Sequence, residues 1–160
     1  MPISINPQMM REIIMDHYNN PLHKSTPSDK ENYLSIRMDS DSCIDDITIY
    51  LKIKNDIVVK TFFDGIACTI STASTDILCD LILNKSKSDA LYILEQYTNM
   101  IFEKEYNDEV LDEALVFANT HKQAARIKCA TLGSTGLKEL IECEGHTHEQ
   151  ERWIKFIKRI

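Results

Sequence analysis

The chain has 160 residues, the size of one domain, with 25 acidic against 18 basic side chains and a formal charge of -7 at pH 7. At this length folding buries roughly 70% of the unfolded surface, so a full core forms without disulfide staples. The negative charge leaves no general electrostatic footprint for nucleic acid, and the longest apolar window, Ile77 to Leu83, is broken by Asp80 and falls far short of the ~20 residues that stable membrane insertion needs.

The opening MPISINPQMM lacks the charged and apolar tracts of a signal peptide, so the expectation is a cytoplasmic protein. In a reducing compartment five cysteines, an odd number, do not make a disulfide framework. Some of them are then candidates for chemistry.

Asn6 followed by Pro7 marks a helix start, and Met10, Ile13, Ile14 and Tyr18 recur at spacings near 3.6 until Asn19-Asn20-Pro21 ends the run. Residues 21–32, rich in Pro, Ser, Asp and Lys, read as a loop. Leu34, Ile36 and Met38 then alternate with polar residues, as do Ile47, Ile49, Leu51 and Ile53, and a turn at Asn55-Asp56 precedes Ile57, Val59, Thr61 and Phe63. That pattern predicts an antiparallel meander of three strands. From Thr69 the period changes, because Ile70, Ala73, Ile77, Leu78 and Leu81 share a helical stripe. Helical patterns continue over Ser88 to Phe102, Asp108 to Asn119, and about Cys129 to Glu142. Strands first and helices afterwards predict an α+β fold, a three-stranded antiparallel sheet with helices packed on one face.

The tail GHTHEQERWIKFIKRI stands apart: Trp153, Ile154, Phe156, Ile157 and Ile160 form an apolar stripe beside Arg152, Lys155, Lys158 and Arg159, which predicts a C-terminal amphipathic helix. The organisation expected is one domain over 1–142, with 143–160 a helical extension of it that packs on the body or on a second copy. A homo-oligomer stays open on this reading.

Cys43 falls in the loop leading into the second strand, Cys68 at the turn from the third strand into a helix, and Cys129 near the start of a late helix. Their separations, 25 and 61 residues, match no CxxC finger or ribbon, and a lone cysteine is ordinarily a small buried hydrophobe. Their setting argues the other way. Cys68 precedes a helix and Cys129 follows Arg126 and Lys128, and a helix N-terminus or nearby cations favour a thiolate. Cys79, inside ILCDLIL, reads as core, while Cys143, His146 and His148 are ligand types in a polar hinge.

The segments IMDHYNNP (14–21), SCIDD (42–46), FDGIACTIS (63–71), KEYND (104–108) and ARIKCATL (125–132) together resemble the SufU branch of the IscU/NifU-like iron-sulfur cluster assembly proteins, over about Ile13 to Glu142. The wide gap between Cys68 and Cys129, and Lys128 where the IscU branch carries histidine, resemble that branch in particular. The resemblance implies a SufE/NifU-like fold and zinc held by Cys43, Asp45, Cys68 and Cys129, a ligand set that tetrahedral zinc accepts. Cys43 and Asp45, at alternate positions of an extended run, would point to one side and Asp46 away. It further implies that Cys43 accepts persulfide sulfur from a pyridoxal-phosphate-dependent cysteine desulfurase, with Arg126 as charge support and downstream iron-sulfur assembly or acceptor proteins as recipients. Such a protein is a sulfurtransferase-like acceptor rather than a stand-alone enzyme. Two alternatives stay open: a scaffold building a labile [2Fe-2S] cluster on the same residues, against which Asp45 leans because clusters prefer thiolates, and a structural zinc-binding module. His17 is expected to have a helix-end structural or docking role.

The chain departs from the family pattern in three places. Ile44 replaces the usual Gly between the first cysteine and Asp45, Ala67 stands where Gly is common before Cys68, and KQAAR (122–126) lacks the proline often found upstream of the third cysteine. Either that first Gly is not needed for the backbone shape, or Ile44, whose β-branched side chain rejects the positive φ that Gly accepts, makes this loop stiffer. The missing proline lets a helix run through Cys129.

Overall fold

Helix α1 (Pro7–Asn19) begins where its sequence signals it: Asn6 Oδ1 accepts the Met9 N–H at 2.8 Å, and Pro7 takes the first helical position, where a missing donor costs nothing. The computed structural model in which this is seen describes residues 6–40, 44–143 and 158–159. Strands β1 (Leu34–Asp39), β2 (Asp46–Lys54) and β3 (Ile57–Ile66) form the antiparallel meander, with Ile36 opposite Ile49 and Ile49 opposite Phe63. Because side chains alternate along a strand, this register gathers Ile36, Met38, Ile47, Ile49, Leu51 and Phe63 on one buried face. Each such side chain contributes about 1.5–3 kcal/mol of transfer free energy. Asn55 and Asp56 turn β2 into β3 with φ of 51° and 68°, the left-handed pair whose twist suits a two-residue hairpin.

Helices α2 (Thr69–Ile82), α3 (Lys87–Ile101) and α4 (Ala124–Cys143) follow, and each packs against the sheet or against a helix that does. Ser86 caps α3 by accepting the Asp89 N–H at 3.1 Å, and the Tyr97 hydroxyl donates to the Ala130 carbonyl at 2.7 Å, tying α3 to α4. α2 and α4 come close at Gly133, where a Cβ would lie 2.2 Å from Thr75 Oγ1. α1 lies outside this layer, against α2 and the segment Asp112–Phe117. Among the described residues no helix is long and apolar enough to cross a membrane.

Three sequence expectations need amendment. The helix expected over Asp108 to Asn119 is a string of short 3-10 turns, Asp108–Val110, Asp112–Phe117 and Thr120–Lys122, because Asp112 takes a φ of 44° that no right-handed helix allows. The helix expected from about Cys129 starts earlier, at Ala124, so Cys129 sits in its second turn. Lastly, Lys158–Arg159 form a two-residue strand, β4, parallel to β1 with Met38 opposite Lys158, giving the sheet order β3-β2-β1-β4. The remainder of the segment expected to form the amphipathic tail helix, with His146 and His148, lies outside the described residues.

Candidate metal centre

The end of β3 and the start of α2 build the site. Gly65, two residues before Ala67, has a φ of +129° and lies so near β2 that a Cβ would be 2.4 Å from the Asp46 carbonyl oxygen, a position that admits no side chain. The chain then turns through Ile66 and Ala67 into Cys68, the N-cap of α2. The Cys68 sulfur accepts the Ser71 N–H at 3.4 Å, filling the role that a serine or aspartate oxygen takes in most caps.

Asp45, one residue before β2, reaches the same helix end. Its Oδ1 accepts the Cys68 N–H at 2.8 Å, its Oδ2 accepts the Ser71 hydroxyl, and its own carbonyl accepts the Ser40 N–H at 3.0 Å, closing the β1–β2 connection. The carboxylate is almost wholly buried, and the unsatisfied amides and positive end of the α2 dipole make that location favourable for an anion. Cys129 arrives from α4, buried, with its carbonyl oxygen 3.1 Å from Ser71 Oγ.

Ligand atoms of Asp45, Cys68 and Cys129 therefore all lie within 4.8 Å of one another, and Cys68 Sγ stands 3.9 Å from Asp45 Oδ2. A tetrahedral zinc with ligands at about 2.0–2.3 Å needs ligand-to-ligand spacings of about 3.3–3.8 Å. Two sulfurs and one carboxylate oxygen at this separation, with Asp45 and Cys129 buried and Cys68 half-buried, fit such an ion with little movement. Cys43, the remaining candidate ligand, lies outside the described residues.

Other residues singled out by the sequence fall where their surroundings explain them. Asp46 points away from the centre and binds Arg37 with both oxygens, at 2.8 and 2.6 Å, on the exposed side of the sheet; its hydrogen bonds and charge raise the arginine's pKa. Arg126 is exposed on α4, three residues before Cys129, and makes no ion pair with a described side chain. Ile44 and Ile66 are also exposed and flank the site. Cys79 is fully buried, and burial drives its thiol pKa far up, so it is a core residue. Cys143 is buried at the end of α4.

Sequence pattern alone did not single out Ser71 or Asp76. The signal for Ser71 was its spacing of three from Cys68, the N-cap to N3 distance. Asp76, fully buried in α2, accepts His17 Nδ1 at 2.6 Å, the Leu22 N–H at 3.1 Å and the His23 N–H at 2.8 Å. His17 also contacts Glu113 at 3.2 Å through Nε2, which gives it the structural role expected of it.

Residues 9–139 match the model of the family described as the NifU-like N terminal domain. The chain is 34% identical over 132 residues, 82% of its length and 88% of the relative's, to the zinc-dependent sulfurtransferase SufU of Bacillus subtilis strain 168. It is 32% identical over 131 residues, 81% of its length and 80% of the relative's, to the iron-sulfur cluster assembly scaffold protein IscU of Streptococcus pyogenes serotype M1. A crystal structure from Fervidobacterium islandicum AW-1, named for a cluster assembly scaffold role in the SUF system, superposes with a TM-score of 0.74 at 28% identity, covering 81% of this chain and 94% of that one. With its fold, its cysteine and aspartate pattern and its family match in agreement, the chain belongs to the NifU-like N-terminal domain family of iron-sulfur cluster assembly proteins.

Proposed function

We propose that this protein is a zinc-holding sulfur acceptor in iron-sulfur cluster assembly, taking persulfide sulfur from a pyridoxal-phosphate-dependent cysteine desulfurase. The observation that carries the reading is the convergence of buried Asp45, half-buried Cys68 and, from α4, buried Cys129 near the N-terminus of α2, in a chain similar to a named zinc-dependent sulfurtransferase. Zinc bound there by Cys43, Asp45, Cys68 and Cys129 keeps the thiols deprotonated at neutral pH.

Cys43 is the sulfur acceptor in this reading. Its thiolate attacks the outer sulfur of the desulfurase persulfide; a new S–S bond forms on Cys43, the old one breaks, and the desulfurase cysteine leaves as thiolate. No external oxidant or reductant is consumed. Asp45, Cys68 and Cys129 would be the residues left to hold zinc, and the exposed Arg126 guanidinium would steady the charge on the incoming sulfur. The sulfur then passes to downstream assembly or acceptor proteins.

Loading with radiolabelled cysteine and a desulfurase tests this. Cys43→Ala should lose the label while retaining the fold and most of its zinc; labelling at the parent rate would reject the assignment. Arg126→Gln should slow loading without changing zinc content.

A scaffold reading is favoured by the printed roles of the Streptococcus and Fervidobacterium relatives. Anaerobic reconstitution with iron and sulfide separates the two: a [2Fe-2S] cluster that can be passed to an apoprotein supports the scaffold, and zinc that persists with desulfurase stimulation supports the acceptor.

A further inference from the structure

Ser71 reaches all three described candidate ligand residues at once. Its hydroxyl donates to Asp45 Oδ2, lies 3.1 Å from the Cys129 carbonyl oxygen and 3.5 Å from Cys68 Sγ, and its N–H donates to that sulfur at 3.4 Å. The residue is 0% exposed, so water does not compete for these contacts. We propose that Ser71 is a positioning residue for the metal, fixing the Asp45 carboxylate so that Asp45, Cys68 and Cys129 converge on the ion. This rests on the reading of the site as a zinc centre.

The argument is one of freedom removed. A lone aspartate turns about two side-chain bonds and offers either oxygen. Here Oδ1 is taken by the Cys68 N–H, a backbone group that any residue at 68 would supply. Oδ2 is oriented by the Ser71 hydroxyl, which only the residue type at position 71 provides. The single hydroxyl proton goes to Asp45 Oδ2, and the Cys129 carbonyl oxygen lies 3.1 Å from the same hydroxyl, so the aim of the carboxylate is set where α2 meets α4. Hydrogen-bond partners that orient metal ligands in this way typically govern affinity by about 10–100-fold.

The test uses the full chain with Ser71→Ala and Ser71→Thr, without any desulfurase. Zinc affinity is measured by competition with a chromophoric chelator, the ligand field by the absorption of the cobalt-substituted protein, and the fold by circular dichroism and melting of the metal-free form. Ser71→Ala is expected to stay folded, to bind zinc about 10–100-fold more weakly, and to show altered cobalt bands; Ser71→Thr, which keeps the hydroxyl, restores most of both. An alanine variant with parental zinc affinity and an unchanged cobalt spectrum overturns the proposal, even where its metal-free form melts lower, since that is the signature of a helix-capping role alone. A threonine variant no better than alanine overturns it as well. A parent chain that binds zinc but takes no sulfur from a desulfurase defeats the sulfur-acceptor reading and leaves the Ser71 comparison standing.

Discussion

The Cys68 amide donates to Asp45 Oδ1 at 2.8 Å across a separation of 23 residues, so the carboxylate occupies the N-terminus of α2 beside the thiol that caps it. Asp45 thus serves the fold and, in the proposed zinc site, would also serve the metal, and two substitutions separate these roles. Asp45→Ala removes the acceptor for both the Cys68 N–H and the Ser71 hydroxyl, and is expected to cost about 1–3 kcal/mol in urea unfolding of the metal-free chain. Asp45→Asn keeps an oxygen for the Cys68 N–H but no charge. It should recover much of that stability and still bind zinc poorly by elemental analysis; full zinc in the asparagine variant would count against Asp45 as a ligand.

A second expectation concerns pH. His17 is buried with Nδ1 2.6 Å from Asp76 and Nε2 3.2 Å from Glu113. Burial by itself lowers the imidazole pKa, but the Asp76 hydrogen bond and the charges of Glu113 and Asp76 together outweigh it, and the net shift is upward from 6.5. A folded-state pKa above the unfolded one means that folding favours the protonated form. The contribution is complete below pH 6.5 and is lost as pH rises through the folded-state value. The stability advantage of the parent over His17→Gln, read from unfolding midpoints, should therefore shrink with rising pH across that window. A gap that widens with pH would contradict the assignment.

How much of this was legible in the sequence depends on the range of the interaction. The strands were, since Ile47, Ile49 and Leu51 alternate and Asn55-Asp56 marks the hairpin in adjacent residues. The grouping of Asp45, Cys68 and Cys129 was not visible in their spacing; it came through family resemblance, and the structure shows why, because three separate elements deliver them. Ser71 and Asp76 escaped pattern reading because the stretch Ser71 to Asp76 is mostly polar, which suggests an exposed helix face. It is buried instead: the Ser71 hydroxyl and the Asp76 carboxylate bond to neighbouring segments, and the Ser74 hydroxyl donates to the Ser71 carbonyl within the helix. The region after Asn107 misled in the opposite sense: Leu115, Val116 and Phe117 are consecutive buried residues in a 3-10 turn, where a period of 3.6 carries no information.

Packing of α2 on α4 yields a third expectation. A methyl group at Gly133 would meet Thr75 Oγ1 at 2.2 Å and Thr75 Cβ at 2.9 Å. Gly133→Ala should destabilise the chain by about 1–3 kcal/mol through overpacking, measured as a lower denaturant midpoint. Adding Thr75→Ala removes the hydroxyl that collides most closely with it while Cβ stays, so the double variant should recover part of the loss. Strict additivity of the two single effects would show that the sites do not touch.

Removal of metal tests whether the centre joins distant segments, as its geometry implies. Asp45 precedes β2, Cys68 caps α2 and Cys129 lies in α4, so an ion shared among them links three elements that the unfolded chain separates. An ion that binds the folded chain alone stabilises it by about 4 kcal/mol at a thousandfold excess over its dissociation constant. Chelation should therefore lower the melting temperature, and added zinc should restore it in a concentration-dependent manner. The two kinds of cysteine should then respond differently: Cys68→Ala loses most of the zinc-dependent increment together with the cap of α2, since Cys68 is one of the three residues proposed to retain the metal during transfer, whereas Cys43→Ala leaves those three in place and keeps most of the increment. Melting that is indifferent to chelator and zinc in the parent chain would remove the metal from the account of this site.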